Sequence, residues 1–379
     1  MKSPFTLRLI VALGAVVLIA AACGSDTGTA TGDTDFDDDF VTASPAPPET
    51  ESPSAASNAE DVPVEGTTVT LLSHDSFTLS DGTLETFTEL TGVRVELLEV
   101  GDAGTLVAEA ILTKDTPLGD VMFGIDNTFL QRGLDAGIFV PYESPRLVDV
   151  AADLQLDPSH RVTPVDYGDV CVNYWKDALP REPVGLADLT HADFADELVV
   201  QHPETSSVGL AFLLATIAAF GDGWEQYWAD LRANGVAVTA GWEDAYYGEF
   251  IAGGGERSMV VSYASSPPAE VIYADPPTDV APTGVITDSC YRQIEFAGIL
   301  SGTDNEAGAQ ALIDFMLSET WQNDVPLNMF VYPVISSAAL PPEFVEHTAV
   351  PAAPLMLDPA EIEANRDAWT ERWVEIVLR

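Results

Sequence analysis

Near its start the folded part of this chain alternates between strand-like and helix-like segments, and this constrains the fold more than any other feature. Thr67 to Ser73 (TTVTLLS) is a β-branched and leucine run of strand length, and Thr83 to Thr91 reads as the following helix. Arg94 to Val100 (RVELLEV) alternates as the next strand, Leu106 to Leu112 is a second helix, and Gly119 to Phe123 is a short buried strand. A parallel neighbour is reached only through a crossover, so this order implies an α/β fold with a mostly parallel sheet and helices on both faces. Ligands bind such sheets beyond the carboxyl ends of the strands. That rule points to Ser73-His74-Asp75-Ser76, Gly101-Asp102-Ala103-Gly104 and Gly124-Ile125-Asp126-Asn127. Two of these loops have no glycine-rich phosphate fingerprint and the third has only a short GDAG, so nucleotide binding is not expected.

With 379 residues, the chain should form two packed lobes plus a stretch spent on export or linkage. Thr163 to Tyr174 (TPVDYGDVCVNY) reads as an extended segment that carries the chain into the second lobe. That lobe holds a strand at Leu198 to Gln201, an apolar helix at Gly209 to Phe220 capped by Thr205-Ser206-Ser207, and a strand at Ser258 to Tyr263. Tyr291 to Leu300 reads as a strand returning to the first lobe. The last long helix starts at Asp358-Pro359, an N-cap followed by proline at the first helical position. It sets Trp369 and Trp373 on one face, where they are expected to pack against the first lobe.

The first 23 residues contain a positive start (Lys2, Arg8), an apolar stretch from Leu9 to Ile19 and a small-residue site at Ala20 to Ala22. This is the pattern of an export signal, too short for the roughly 20 residues of a membrane span. Cys23 follows the small residues as in a bacterial lipobox, although Ala20 stands where leucine is usual; the alternative is a freely secreted chain with an incidental cysteine. Gly24 to about Gly66 is built of Asp, Thr, Ser, Pro, Ala and Glu, and reads as an acidic disordered tether. The expected organisation is a signal at 1–22, a lipid-anchored tether at 23–66, a first lobe at 67–165 completed by 291–379, and a second lobe at 166–290.

The charge balance removes whole classes of function. There are 61 Asp and Glu against 15 Lys and Arg, a formal net of -46, which leaves almost no basic face for nucleic acid or for an anionic membrane surface. Most of these acids are expected to serve solubility rather than a ligand. His74, His160, His191, His202 and His347 are scattered without HExxH spacing, and no GxSxG elbow exists, so no metal site, cofactor or catalytic activity is expected. Cys171 and Cys290 both fall on crossover strands, where an exported protein permits either a disulfide or two buried thiols.

Aromatic and acidic residues recur together in three loops: Ala240 to Gly248, Ser262 to Pro267 and Asn328 to Val334. Ring faces attract a flat organic cation and carboxylates complete its neutralisation. The competing reading of each aromatic is core packing.

Seven runs, His74-Asp75-Ser76-Phe77, Gly124 to Asn127, Asp166-Tyr167-Gly168, Thr205 to Leu210, Gly241 to Tyr246, Ser262 to Pro267 and Tyr332-Pro333-Val334, resemble in order and spacing the thiamine-binding periplasmic proteins of bacterial ABC importers. The likeness runs from about Thr67 to Arg379. It implies a two-lobed type II solute-binding fold, each lobe a mixed, mostly parallel sheet joined to the other by hinge strands. It also implies an extracytoplasmic monomer, not an enzyme, that carries thiamine or thiamine phosphate to permease and ATPase subunits and is held at the membrane by its lipid.

Carried over position by position, Trp242 and Tyr263 match family aromatics of the thiamine site, and Phe330 stands where the family has tryptophan. Ser206 matches a serine near the phosphate end of the ligand, and a helix start suits an anion in its own right; a simple N-cap is the other reading, and both can hold. Ser76 and Tyr246 complete the expected site. His74 replaces a family tyrosine, the loop Thr78 to Gly82 lacks a family tryptophan, and Ala269 stands where another tyrosine would be. Fewer stacking faces imply weaker binding or a related ligand such as a pyrimidine precursor. Asp75 and Asp126 either answer the thiazolium charge or the aminopyrimidine amine, or form Asx turns and caps. Three alternatives remain open: the same fold holding ferric iron, through Tyr246-Tyr247, or a polyamine; a thiaminase-like enzyme with Cys171 or Cys290 as nucleophile; and a surface lipoprotein without a ligand.

Overall fold

The structure, a computed structural model, describes residues 66–379. The signal, Cys23 and nearly all of the tether lie outside the described residues. The first lobe begins with β1 (Thr68–Ser73), α1 (Thr83–Thr91), β2 (Arg94–Glu99), α2 (Ala103–Leu112), β3 (Val121–Asp126), α3 (Leu130–Ala136) and β4 (Phe139–Val140). The long strand β5 (Thr163–Trp175) leads to β6 (Leu198–Gln201), α4 (Ser207–Phe220), α5 (Trp224–Ala233), β7 (Ala237–Thr239), β8 (Met259–Tyr263) and α6 (Pro267–Ile272). A second long strand, β9 (Thr283–Leu300), returns to α7 (Glu306–Met316), α8 (Glu319–Asn328), β10 (Tyr332–Pro333), α9 (Pro342–His347) and α10 (Pro359–Val377).

The strands run in the order β2-β1-β3-β9-β5-β8-β6-β7, with β4 on β9 and β10 on β5. β1 is parallel to β2 and β3, and β6 is parallel to β7 and β8, whereas each antiparallel pair includes β5 or β9. Two parallel three-stranded units thus flank two crossing strands. β5 and β9 have 13 and 18 residues, well beyond the usual strand of about 5–6, and that length lets each belong to both lobes. β9 starts at Thr283 rather than at the expected Tyr291, because its first half is partly exposed and interrupted by Gly284 and Asp288, which hides the strand pattern. The expected lobe limits at 165/166 and 290/291 fall inside these two strands.

The helices cover both faces. α4 is buried continuously from Ser207 to Thr216, which explains why it is apolar all round rather than on one stripe. Trp373 of α10 is fully buried, with its ring 5.4 Å from Trp228 of α5 and 5.2 Å from His202. Both partners belong to the β6–α5 region, so the expectation that this tryptophan packs against the first lobe is corrected. α10 also meets α3 and so straps the two sides together; Trp369 is only half-buried.

Candidate ligand-binding cleft

The loops beyond the carboxyl ends of both parallel units face one another across β5 and β9. One glycine makes this approach possible, and a second lets His74 pack closely within the first lobe. Gly104, in the first turn of α2, donates its N–H to the Thr205 carbonyl at 3.0 Å, and a Cβ there would lie 2.4 Å from the Glu204 carbonyl oxygen. Gly124 has φ +106°, and a Cβ on it would meet the His74 ring at 2.4 Å; the chain can take that φ cheaply only with glycine.

The inner part of the cleft, a cavity of about 40 Å³, is lined by His74, Ser76, Asp102, Ser207, Tyr263 and Glu295, among others. The outer part, about 240 Å³, is walled by Trp242, Tyr246, Tyr247, Tyr273 and Phe330. Trp242, Tyr263 and Met329 border both. Neither part is lined by lysine or arginine.

The aromatic wall is held by ring contacts and hydrogen bonds. Trp242 and Tyr246 are stacked with centroids 4.9 Å apart, and Tyr247 stands edge-on to Trp242 at 5.4 Å. Asp244–Glu249 form a π-helical turn, a distortion that recurs at functional sites. The Tyr246 hydroxyl donates to Glu270 Oε1 at 2.6 Å and Trp242 Nε1 donates to Ser262 Oγ at 2.9 Å. Phe330 adopts φ +53°, a strained conformation for a bulky residue, and its carbonyl accepts from Ser265 Oγ at 2.6 Å.

The inner floor is polar and linked across the lobes. Asp102 caps α2 by accepting from Ala103 N at 2.6 Å, and its other oxygen accepts from Trp242 N on the opposite wall at 2.8 Å. Burial raises its pKa to about 6. Tyr263 donates its hydroxyl to Gln293 Oε1 at 2.6 Å, and Gln293 Nε2 donates to Asp126 at 2.7 Å and to Ser207 at 3.0 Å. Burial lowers the His74 pKa to about 4, so this imidazole is neutral near pH 7.

Of the residues singled out from sequence, His74, Ser76, Trp242, Tyr246, Tyr263 and Phe330 border the cleft. Asp75 is half-buried but does not line it; burial raises its pKa, and Oδ1 has no hydrogen-bond partner. Asp126 is fully buried and occupied: Oδ1 accepts from Thr128 N, Thr128 Oγ1 and Phe129 N, and Oδ2 from Gln293. These bonds are those of the turn and cap reading, and Asp126 is not among the residues that line the cleft. Ser206 is likewise buried as the N-cap of α4, accepting from Gly209 N at 3.4 Å; the adjacent Ser207 reaches the cleft instead.

Sequence reasoning missed Asp102, Ser207 and Glu295 as site residues. Asp102 lay in a loop that the strand-end rule had marked, and Glu295 was an acid inside an otherwise apolar strand; both signals were there to be used. Cys171 and Cys290 are bonded to each other and buried, so neither offers the free thiol a thiaminase-like mechanism needs. Among the described residues no group of three or more His, Cys, Asp or Glu is placed to hold a metal ion.

Residues 116–365 match the sequence model of the bacterial extracellular solute-binding proteins. The thiamine-binding periplasmic protein of Escherichia coli strain K12 is 30% identical over 319 residues, covering 82% of this chain and 94% of the relative. The chain belongs to the bacterial extracellular solute-binding proteins. Another relative of this solute-binding protein, the thiamine-binding periplasmic protein of Salmonella typhimurium, is 29% identical with the same two coverages. Among solved structures, a periplasmic thiamin binding protein superimposes with TM-score 0.73 at 28% identity, covering 82% of this chain and 96% of its own. An apo ferric ion-binding protein from Pasteurella haemolytica, at TM-score 0.66 and 18% identity, shares the two-lobed type II fold. The matching architecture makes the opposed loops of this solute-binding protein its interlobe cleft.

Proposed function

We propose that this protein is the extracytoplasmic receptor of an ABC importer, that it captures thiamine or thiamine phosphate between its lobes, and that it delivers the vitamin to the permease and ATPase subunits. The observation that carries this reading is the composition of the cleft: stacked aromatic faces outside, carboxyl groups inside, and no lysine or arginine on either lining. Rings and carboxylates together suit a flat cation with an amino group, which is what a thiazolium joined to an aminopyrimidine presents. The start of α4, with Ser207 on the lining, offers N–H groups to a phosphate end. Relatives at 30% and 29% identity carry the name thiamine-binding periplasmic protein, which supports the same ligand here.

In this reading 67–165 and 291–379 form one lobe and 166–290 the other, and a monomer closes about β5 and β9 on its ligand. Residues 1–22 act as an export signal, and Cys23 carries the lipid that holds the tether at the membrane. The protein acts as a carrier rather than an enzyme. Titration calorimetry with thiamine, thiamine phosphate and the free pyrimidine tests the assignment. One-site saturable heat with thiamine, accompanied by a change in tryptophan fluorescence that a Trp242→Phe variant loses, is expected. Absence of heat with all three compounds overturns it.

A further inference from the structure

Three carboxyl side chains stand in a row on three neighbouring strands at the floor of the cleft. Glu295 of β9 is the cross-strand partner of Asp126 on β3 and of Asp166 on β5. Directly opposed residues have Cβ atoms about 5 Å apart, and like charges in that arrangement destabilise a sheet. All three are buried, at 0%, 1% and 6% exposure for Asp126, Asp166 and Glu295. The register breaks between Phe123 and Ile125 and between Pro164 and Asp166, and bulges beside binding sites commonly re-aim side chains.

The three acids differ in how they are satisfied. Asp126 accepts four hydrogen bonds, which only partly offset the rise in its pKa that burial causes. Neither Asp166 oxygen meets an N–H or O–H donor from any other residue; its carboxyl lies against that of Glu295. Two carboxyls in such contact away from water hold together by sharing one proton. A second observation points at a ligand. His74 lines the inner cleft, is 6% exposed, and presents Nε2 without a hydrogen-bond partner 3.7 Å from Glu295 Oε1. The remaining groups facing the pair are Asp102 at the start of α2, Asp126 from β3 and the neutral Tyr263 hydroxyl from β8, and the two aspartates raise the cost of charge there. Arg292, the nearest cation along β9, is committed to Asp169 at 2.6 Å.

We propose that Glu295 and Asp166 form a proton-exchanging recognition point: in the empty cleft they share one proton, and a cationic or amino-bearing ligand seated against Glu295 and His74 replaces it. The balance is simple. The O–H bond of the shared acid breaks, the proton leaves to solvent, and the ligand's positive charge or N–H, seated between the Glu295 carboxylate and the His74 Nε2, offsets the negative charge left on the pair. Burial and the adjacent carboxyl both push the Glu295 acid well above the ordinary carboxylate range, so the exchange falls nearer neutrality than for an exposed glutamate. Because the deprotonated pair is the form that binds, affinity rises with pH, about tenfold per unit while the shared proton is held, and levels off once it is gone.

The proposal rests on the thiamine reading for its probe. Thiamine is titrated into the full chain by calorimetry at about pH 6, 7 and 8, in phosphate and in imidazole, whose ionisation heats differ. Release of about one proton at the lowest pH, with tightening at the higher ones, is expected. Glu295→Gln should abolish the proton release and weaken binding about 10- to 100-fold; Asp166→Asn should retain binding and move the release to lower pH. If the variants do not fold, as judged by circular dichroism, the two-buffer comparison on the wild type decides alone. Equal heats in both buffers and a constant affinity over this range overturn the proposal while leaving thiamine binding intact; no heat at all overturns both.

Discussion

Asp102 shows how much one side chain can decide. Its two oxygens close the first turn of α2 and accept the Trp242 N–H of the facing wall, so one carboxyl both caps a helix and ties the lobes. Burial raises its pKa from 3.8 to about 6. A raised carboxyl pKa means the folded chain binds a proton more readily than the unfolded one, so the stabilisation is complete below about pH 4 and is lost as pH rises through about 6. Asp102→Asn removes this titration. The variant's stability relative to wild type should therefore improve by about 2 kcal/mol between pH 4 and 7, since each tenfold change in proton affinity on folding is worth about 1.4 kcal/mol. Urea denaturation of both proteins across that range checks it, and parallel profiles would show that Asp102 is not the titrating group. Asp126 teaches the complementary lesson: an aspartate after a strand looked the same in sequence whether it faced a ligand or its own backbone, and only its four donors tell the difference.

At the scale of elements, the two crossing strands carry the architecture. The disulfide between Cys171 and Cys290 joins β5 to β9 and closes a loop of 119 residues, which is essentially the second lobe. Closing a loop of that length limits the denatured chain and typically contributes about 2–4 kcal/mol. The Cys171→Ser/Cys290→Ser double variant should therefore fold but lose about that much stability, read from the urea midpoint at unchanged slope; a change below about 0.5 kcal/mol would mean that strand pairing alone constrains the lobe. The sequence left this pairing open because a disulfide needs two Cβ atoms within reach. Strand identity was legible from the β-branched runs, but register was not.

For the whole molecule, the net charge of -46 shapes the approach of a ligand rather than its final contacts. A field of that sign concentrates cations near the cleft and is screened within about 8–10 Å at physiological salt. The association rate of thiamine, followed by stopped-flow tryptophan fluorescence, should fall several-fold between about 10 and 150 mM salt while dissociation changes little. An unchanged association rate would show that the surface charge does not reach the cleft. Ligand should also stabilise the fold by mass action, about 2.7 kcal/mol at one hundred times the dissociation constant, and thermal melts with and without the vitamin would show it.

The alternation of strands and helices, the cap before α4 and the aromatic loops were all present in the order of residues, because local period and turn chemistry are properties of neighbours along the chain. Six of the expected site residues border the cleft, and four of them, His74, Ser76, Trp242 and Tyr246, do so for the same reason: they follow strand ends, where a parallel sheet must present its loops. What only the tertiary structure decided depends on strands that are distant in sequence. It set Asp166, Glu295 and Asp126 side by side across β5, β9 and β3, turned Asp126 inward, brought Ser207 rather than Ser206 to the lining, and joined Asp102 to the backbone of Trp242. Those placements follow from register and from how closely two lobes approach, and neither is written in the spacing of residues along a single segment.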